Sequence, residues 1–206
     1  MKDSDAGRIA VDVALLPDQA MTRWVVEINR ELVRQYGSEI VLSEETCLPH
    51  VSLAMGCTDE RDIDSIREML QRLARETPVR RLNATGILVS VNSHGGYTSL
   101  LEIERTDELQ ALHEAATREL EPFFSRDVTE AMFADDTVAE STLEWTRDYP
   151  QKAAFERFSP HITLGHGKAQ TDARFPIPFT ASQLVLCHVG NYGTCRKVLV
   201  SVRDDV

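Results

Sequence analysis

Between Arg8 and Leu16 the chain alternates Ile9, Val11 and Val13 with Ala10, Asp12 and Ala14, the period-two rhythm of a half-buried strand. From Asp18 to Tyr36 the rhythm changes. Met21, Trp24, Val25, Ile28 and Leu32 recur at three- and four-residue spacing, which predicts an amphipathic helix stopped by Gly37. Leu48 to Gly56 (LPHVSLAMG) then reads as a strand, and Asp59 to Glu76 as a second helix with Ile63, Ile66, Leu70 and Leu73 on its apolar face.

The second half repeats the theme less regularly. Leu82 to Val91 and Tyr97 to Ile103 are strand-like runs around the turn-rich Asn92-Ser93-His94-Gly95-Gly96, as in a hairpin. Thr106 to Phe123 follows as a helix with Thr106 as its cap. The pattern then lapses from Ser125 to Phe158, where Asp127, Glu130, Asp135, Asp136, Glu140, Glu144 and Asp148 meet few basic residues. This stretch reads as an acidic insertion, a solvated lid or flank with one short helix around Val138 to Arg147. Beyond it come the strand SPHITLGHG and a closing hairpin, Phe179 to Val189 and Lys197 to Val202, around Gly190-Asn191-Tyr192-Gly193. Strands interleaved with helices and several hairpins predict an α+β protein with mainly antiparallel sheets, built as one domain over residues 1–206.

Composition narrows the partners. A net charge of -11 with no basic tail or stripe argues against long duplex nucleic acid, whose binding rests on phosphate neutralisation by Lys and Arg. A small anion in a local pocket remains open. The N-terminal stretch lacks the apolar run of a signal peptide, and no segment is long and apolar enough to cross a bilayer, so a cytoplasmic monomer without membrane contact is expected. Cys47, Cys57, Cys187 and Cys195 are too sparse for a disulfide framework and are expected to be reduced packing residues.

The chemistry enters through a repeat. Pro49-His50-Val51-Ser52-Leu53-Ala54-Met55-Gly56 matches Pro160-His161-Ile162-Thr163-Leu164-Gly165-His166-Gly167 at Pro, His, Leu and Gly, with conservative partners between. From ordinary residue frequencies a second histidine would copy these flanks by chance in roughly one case in ten thousand. On a strand, residues two apart share a face, so His50 projects with Ser52, and His161 with Thr163. Two such strands facing one another would enclose two imidazoles and two hydroxyls. Imidazole titrates near neutral pH, so one ring can accept a proton while the other gives one. Phosphodiester cleavage needs that pair of transfers, and the hydroxyls can donate to non-bridging phosphate oxygens.

The paired His-x-Ser and His-x-Thr motifs, each followed by Leu, resemble the 2H phosphoesterase superfamily, most of all its bacterial 2'-5' RNA ligase and 2',3'-cyclic phosphodiesterase-like branch. The resemblance runs from the Arg8 strand to the Lys197 strand. It implies a bilobal, pseudo-two-fold fold of two mainly antiparallel sheets around a central cleft, with helices outside. It further implies His50 and His161 as catalytic acid and base, Ser52 and Thr163 as phosphate ligands, and no metal or cofactor. The implied substrate is a 2',3'-cyclic phosphate end or a 2'-5' linkage in a small nucleotide or RNA end. Ligase-like members often carry Arg two residues after the Leu of the second motif, where this chain has His166. Strand parity puts His166 on the face opposite His161 unless Gly165 bends the chain, so His166 is a candidate substrate ligand only with such a bend.

Other readings stay open at this stage. Tyr192, in its glycine-flanked turn, could stack on a nucleobase, and Arg196 or Lys197 could meet a phosphate. Cys47, His50 and Cys57, or Cys187, His188 and Cys195, could hold zinc, though neither set has a paired short-spacing signature. A non-catalytic nucleotide-binding module would use the same groups as an enzyme. His94, His113 and His188 read as structural.

Overall fold

The computed structural model describes residues 7–37, 39–91 and 95–202, so that His94 and its two predecessors in the linker lie outside the described residues. Strand β1 (Arg8–Pro17) leads into helix α1 (Gln19–Tyr36). The turn between them is set by Asp18, whose carboxylate accepts the Met21 N–H at 3.0 Å and satisfies a donor that the first helical turn leaves free. Strand β2 (Val51–Asp59) and helix α2 (Ile63–Glu76) complete the first unit. Strands β3 (Arg81–Val91) and β4 (Tyr97–Ile103) follow, then α3 (Asp107–Leu120), whose Leu109 N–H donates to the cap Thr106 at 3.2 Å. Helix α4 (Glu140–Lys152) and strands β5 (His161–His166), β6 (Ile177–Val189) and β7 (Cys195–Val202) close the chain.

All pairings among these strands are antiparallel, in the order β2-β1-β6-β3-β4-β5, with β7 also on β6. The expected α+β class therefore holds, and its two half-sheets are continuous through β6. The start of β6, Ile177 to Thr180, pairs with β3, while Ala181 to His188 pairs with β1 and Leu184 to Val189 with β7. The two copies of the Pro-His repeat lead β2 and β5, the strands at the ends of this order, and those ends pack against one another. Outside them, the apolar faces of α1 (Met21, Val25, Leu32), α2 (Ile66, Leu70) and α3 (Leu109, Leu112) are buried in one core with Leu53, Leu101, Ile162 and Leu164.

Three sequence expectations need correction. Strand β1 is not half-buried: Ala10, Asp12 and Ala14, the supposed outer face, are each fully buried. Ala14 is buried with Val185, Cys187 and Cys195, and Ala10 by the acidic stretch from Ser125 to Phe158, which is not a solvated flank. Its Val128, Met132, Phe133 and Val138 pack on Ala10, Cys57 and Val189, covering one face of the sheet. Its helix also starts later and runs longer than periodicity suggested, through an internal Pro150. Finally, Cys187 and Cys195 form a disulfide, whereas Cys47 and Cys57 are free and buried. The hairpin of β6 and β7 was expected, but its irregular register around Cys187 and Val189, which brings the two Cα atoms to 5.5 Å, is not readable from residue spacing.

One buried side chain ties the helical layer to the cleft. Asn29 of α1 donates to the carbonyls of Ile40 (3.0 Å) and Leu164 (2.8 Å) and accepts the Leu42 N–H (2.8 Å). Asn29→Leu leaves these three buried backbone groups without partners, at about 1–3 kcal/mol each. Urea unfolding of this variant should show a loss of about 3 kcal/mol or more at an unchanged m-value.

Candidate active site

Both motif histidines are held in the same way. The His50 Nδ1–H donates to the Leu48 carbonyl at 2.8 Å, and the His161 Nδ1–H donates to the Ser159 carbonyl at 2.8 Å. A carbonyl only accepts, so each neutral ring carries its proton on Nδ1 and its lone pair on Nε2, and the Gly193 carbonyl also lies against the His50 ring. Both rings line one cleft of about 570 Å³, together with Ser52, Thr163, His166 and Tyr192. All six candidate residues thus meet in a single cavity. Burial, the larger effect, pushes both imidazoles below the usual histidine range, although the carbonyls oppose it, and a charge on His161 lowers His50 further.

The two hydroxyls differ. Ser52 Oγ is hydrogen-bonded to Asp12 Oδ2 at 2.6 Å, and the same oxygen lies 3.6 Å from His50 Nε2. Thr163 faces the cleft with no carboxylate beside it among the described residues. Asp12 is fully buried on β1, and its Oδ1 has no hydrogen-bond partner among the described residues. Burial pushes its carboxyl up to about 8, the Ser52 hydrogen bond opposing. Across the cavity, the Tyr149 phenol of α4 is pushed well above its usual range, by burial first and by Asp12 second.

His166 reaches the cleft through a bulge. In the pairing of β4 with β5, Leu100 faces Thr163 but Ser99 faces Gly165, so Leu164 is an extra residue and strand parity shifts by one. Gly165 takes φ +136°, and a Cβ there would come to 2.8 Å from Asn29 Nδ2. The His166 ring, on the same wall as His161, has Thr98 Oγ1 at 3.1 Å from Nδ1 and Glu39 Oε2 at 3.3 Å from Nε2. The Tyr192 ring stands edge-on to it at 5.0 Å, and the Tyr192 hydroxyl donates to Glu39 Oε1 at 3.3 Å. Arg196, by contrast, is spent on Asp135 at 3.0 Å, and neither it nor Lys197 lines the cleft.

Residues 31–189 match the family described as the 2'-5' RNA ligase superfamily, a span that holds both histidine motifs. The chain belongs to that superfamily. Its chemistry is of the 2H phosphoesterase and ligase type. The crystal structure of the protein TT0787 of Thermus thermophilus superposes with a TM-score of 0.58 at 16% identity, over 96% of this chain and 100% of that one, which supports the shared fold. No curated protein matches the chain in sequence.

Within this superfamily frame, sequence reasoning missed several groups. Asp12 carried the one usable signal, an acid in an otherwise apolar strand, but its position beside Ser52 depends on the pairing of β1 with β2. The cleft face of α4, with Trp145, Tyr149 and Lys152, had no motif. His113 is structural, as read. Its Nδ1–H donates to the Leu53 carbonyl at 2.7 Å and its Nε2 accepts the Phe155 N–H at 2.8 Å. Neither zinc set assembles: Cys187 and Cys195 are bonded to each other, and among the described residues no three His, Cys, Asp or Glu side chains converge. None of the described helices is long and apolar enough to cross a membrane.

Asp12 makes stability depend on pH. Its folded pKa, about 8, lies above the unfolded value of 3.8, so its protonation favours the folded state in acid and that advantage fades as pH rises through this window. The stability of Asp12→Asn relative to the parent should therefore increase from pH 4 to pH 8, by on the order of a few kcal/mol in denaturant titrations at the two pH values.

Proposed function

We propose that this protein is a metal-independent phosphodiesterase that hydrolyses a 2',3'-cyclic phosphate end or a 2'-5' phosphodiester in a small nucleotide or RNA end. The observation that carries this reading is the matched pair of imidazoles, each fixed through Nδ1 to the carbonyl two residues back and lining one cleft. One Nε2 takes a proton from the attacking water as its oxygen bonds to phosphorus, and the other imidazolium gives a proton to the departing ribose oxygen. Two proton transfers balance the hydrolysis, and neither calls for a Lewis acid. The Thr163 hydroxyl lines the same cleft and donates to a non-bridging oxygen in this reading.

The far wall favours a nucleotide over a bare sugar phosphate. Trp145 of α4 lines the cleft while remaining 40% exposed, a surface on which a base can stack. Arg157 lines the same cleft and brings positive charge to it, while Lys152, also in its lining, is paired with Asp148 at 3.0 Å.

His50→Ala and His161→Ala should each lower turnover of a 2',3'-cyclic nucleotide or a 2'-5' oligonucleotide by about a hundredfold or more, with chelator changing nothing. Undiminished turnover in the double variant would sink the proposal, and binding without product would favour a nucleotide sensor of the same fold. Because both imidazoles are depressed by burial, the base remains neutral and the acid loses its proton at lower pH than for free histidine. The kcat/KM profile should be a bell whose maximum lies on the acid side of pH 6.5. Trp145→Ala should raise KM about tenfold with little change in kcat, as expected for a stacking contact equal in ground and transition states.

A further inference from the structure

Asp12 sits behind the phosphate end of the cleft. It is hydrogen-bonded to the Ser52 hydroxyl of β2, lies 3.6 Å from the imidazole of His50 just before β2, and its charge acts on the Tyr149 phenol of α4. Its cross-strand neighbours are Met55 on β2 and Cys187 on β6, the latter locked in the disulfide. Among the described residues its one ion-pair contact is His50 at 3.6 Å, which is longer than a hydrogen bond. An ionised carboxylate in this place would be fully buried with one oxygen unpartnered, an arrangement of high desolvation cost. It would also take the Ser52 hydroxyl hydrogen for itself. Ser52 would then present lone pairs, with a negative charge behind them, to an incoming phosphate.

The neutral acid reverses each of these effects. Its Oδ2–H donates to Ser52 Oγ over the same 2.6 Å, within the range of O–H···O hydrogen bonds. The Ser52 hydrogen is released to point into the cleft. No anion remains behind the phosphate, and His50 Nε2 keeps its lone pair without an ion-pair partner. We propose that Asp12 is a positioning residue that works as a neutral carboxylic acid, donating to Ser52 so that Ser52 in turn donates to the substrate's phosphate. This rests on the phosphodiesterase reading of the cleft and adds a relay to it: Asp12 to Ser52 to phosphate. The upward push that burial gives the Asp12 carboxyl, to about 8, is in keeping with the geometry.

Two measurements on the full chain test the relay. The first follows the Asp12 carboxyl carbon by 13C NMR between pH 5 and pH 9.5. The relay expects a neutral acid at pH 6.5 and ionisation near pH 8, and a carboxyl already ionised at pH 5 overturns it. The second measures the affinity for adenosine 2'-monophosphate, whose phosphate is close to fully ionised above pH 7 because its second pKa is about 6. Affinity should fall about tenfold between pH 7 and pH 9 as Asp12 ionises. Asp12→Ala should weaken binding about tenfold at pH 7. Asp12→Asn, whose amide N–H can still donate to Ser52, should restore most of that loss and remove the step between pH 7 and pH 9. The relay fails if Asp12→Asn binds as poorly as Asp12→Ala while keeping the parent's circular dichroism spectrum at the assay temperature, or if the alkaline step persists in it. Absence of nucleotide binding by the parent would count against the phosphodiesterase reading, and the carboxyl titration would still decide the state of Asp12.

Discussion

Strand β6 is hydrogen-bonded to three other strands, and the cleft depends on that sharing. Its first residues belong with β3 and its later ones with β1 and β7, so one strand of 13 residues carries both half-sheets. Strands β2 and β5 fall at the two ends of the order, and packing of those ends against one another sets the two Pro-His copies around one space. Helices α1, α2 and α3 cover the outer surface with apolar faces, and Asn29 fastens α1 to the backbone of β5 beside the motif. The bulge at Leu164 lies at this fastening point. It turns a strand that would offer two side chains to the cleft into one that offers three.

In a chain of net charge -11, carboxylates left unpaired near a phosphate would repel it. Several carboxylates carry partners, while Glu144 lines the cleft itself. Glu39 is met by the Tyr192 hydroxyl and by His166, Asp148 by Lys152 and Asp135 by Arg196. Asp12 has no cation beside it, and burial shifts it toward its neutral form instead. Depression of both imidazoles is part of the same economy of charge. Uncharged rings cost less to bury, and a ring that is neutral near pH 7 is ready to take a proton. His166 stands where ligase-like relatives often have Arg, with Glu39 Oε2 3.3 Å from its Nε2.

The residues easiest to read in the chain were those whose role is set by local periodicity or by repetition. Strand and helix periods located the main elements to within a few residues, since side-chain alternation on a strand and three-to-four spacing on a helix follow from backbone geometry alone. His50, Ser52, His161 and Thr163 stood out because two distant stretches carried the same flanks. His166 was legible only as a condition on Gly165, and the bulge met it. Less was visible between Ser125 and Phe158, where Val128, Met132, Phe133 and Val138 have no shared period because they approach the sheet from irregular backbone.

By itself the sequence determined the α+β class, the elements that carry each motif and the four motif side chains His50, Ser52, His161 and Thr163 in the cleft, because these follow from spacing along the chain and from a repeated motif. Tertiary structure alone decided that Asp12 lies against Ser52 and His50, that Glu39 faces His166 and Tyr192, that Cys187 bonds to Cys195, and that α4 forms the second wall. Those contacts join residues whose separation along the chain carries no information. They arise from strand register and from the packing of an irregular segment over β1, which only the folded chain brings about.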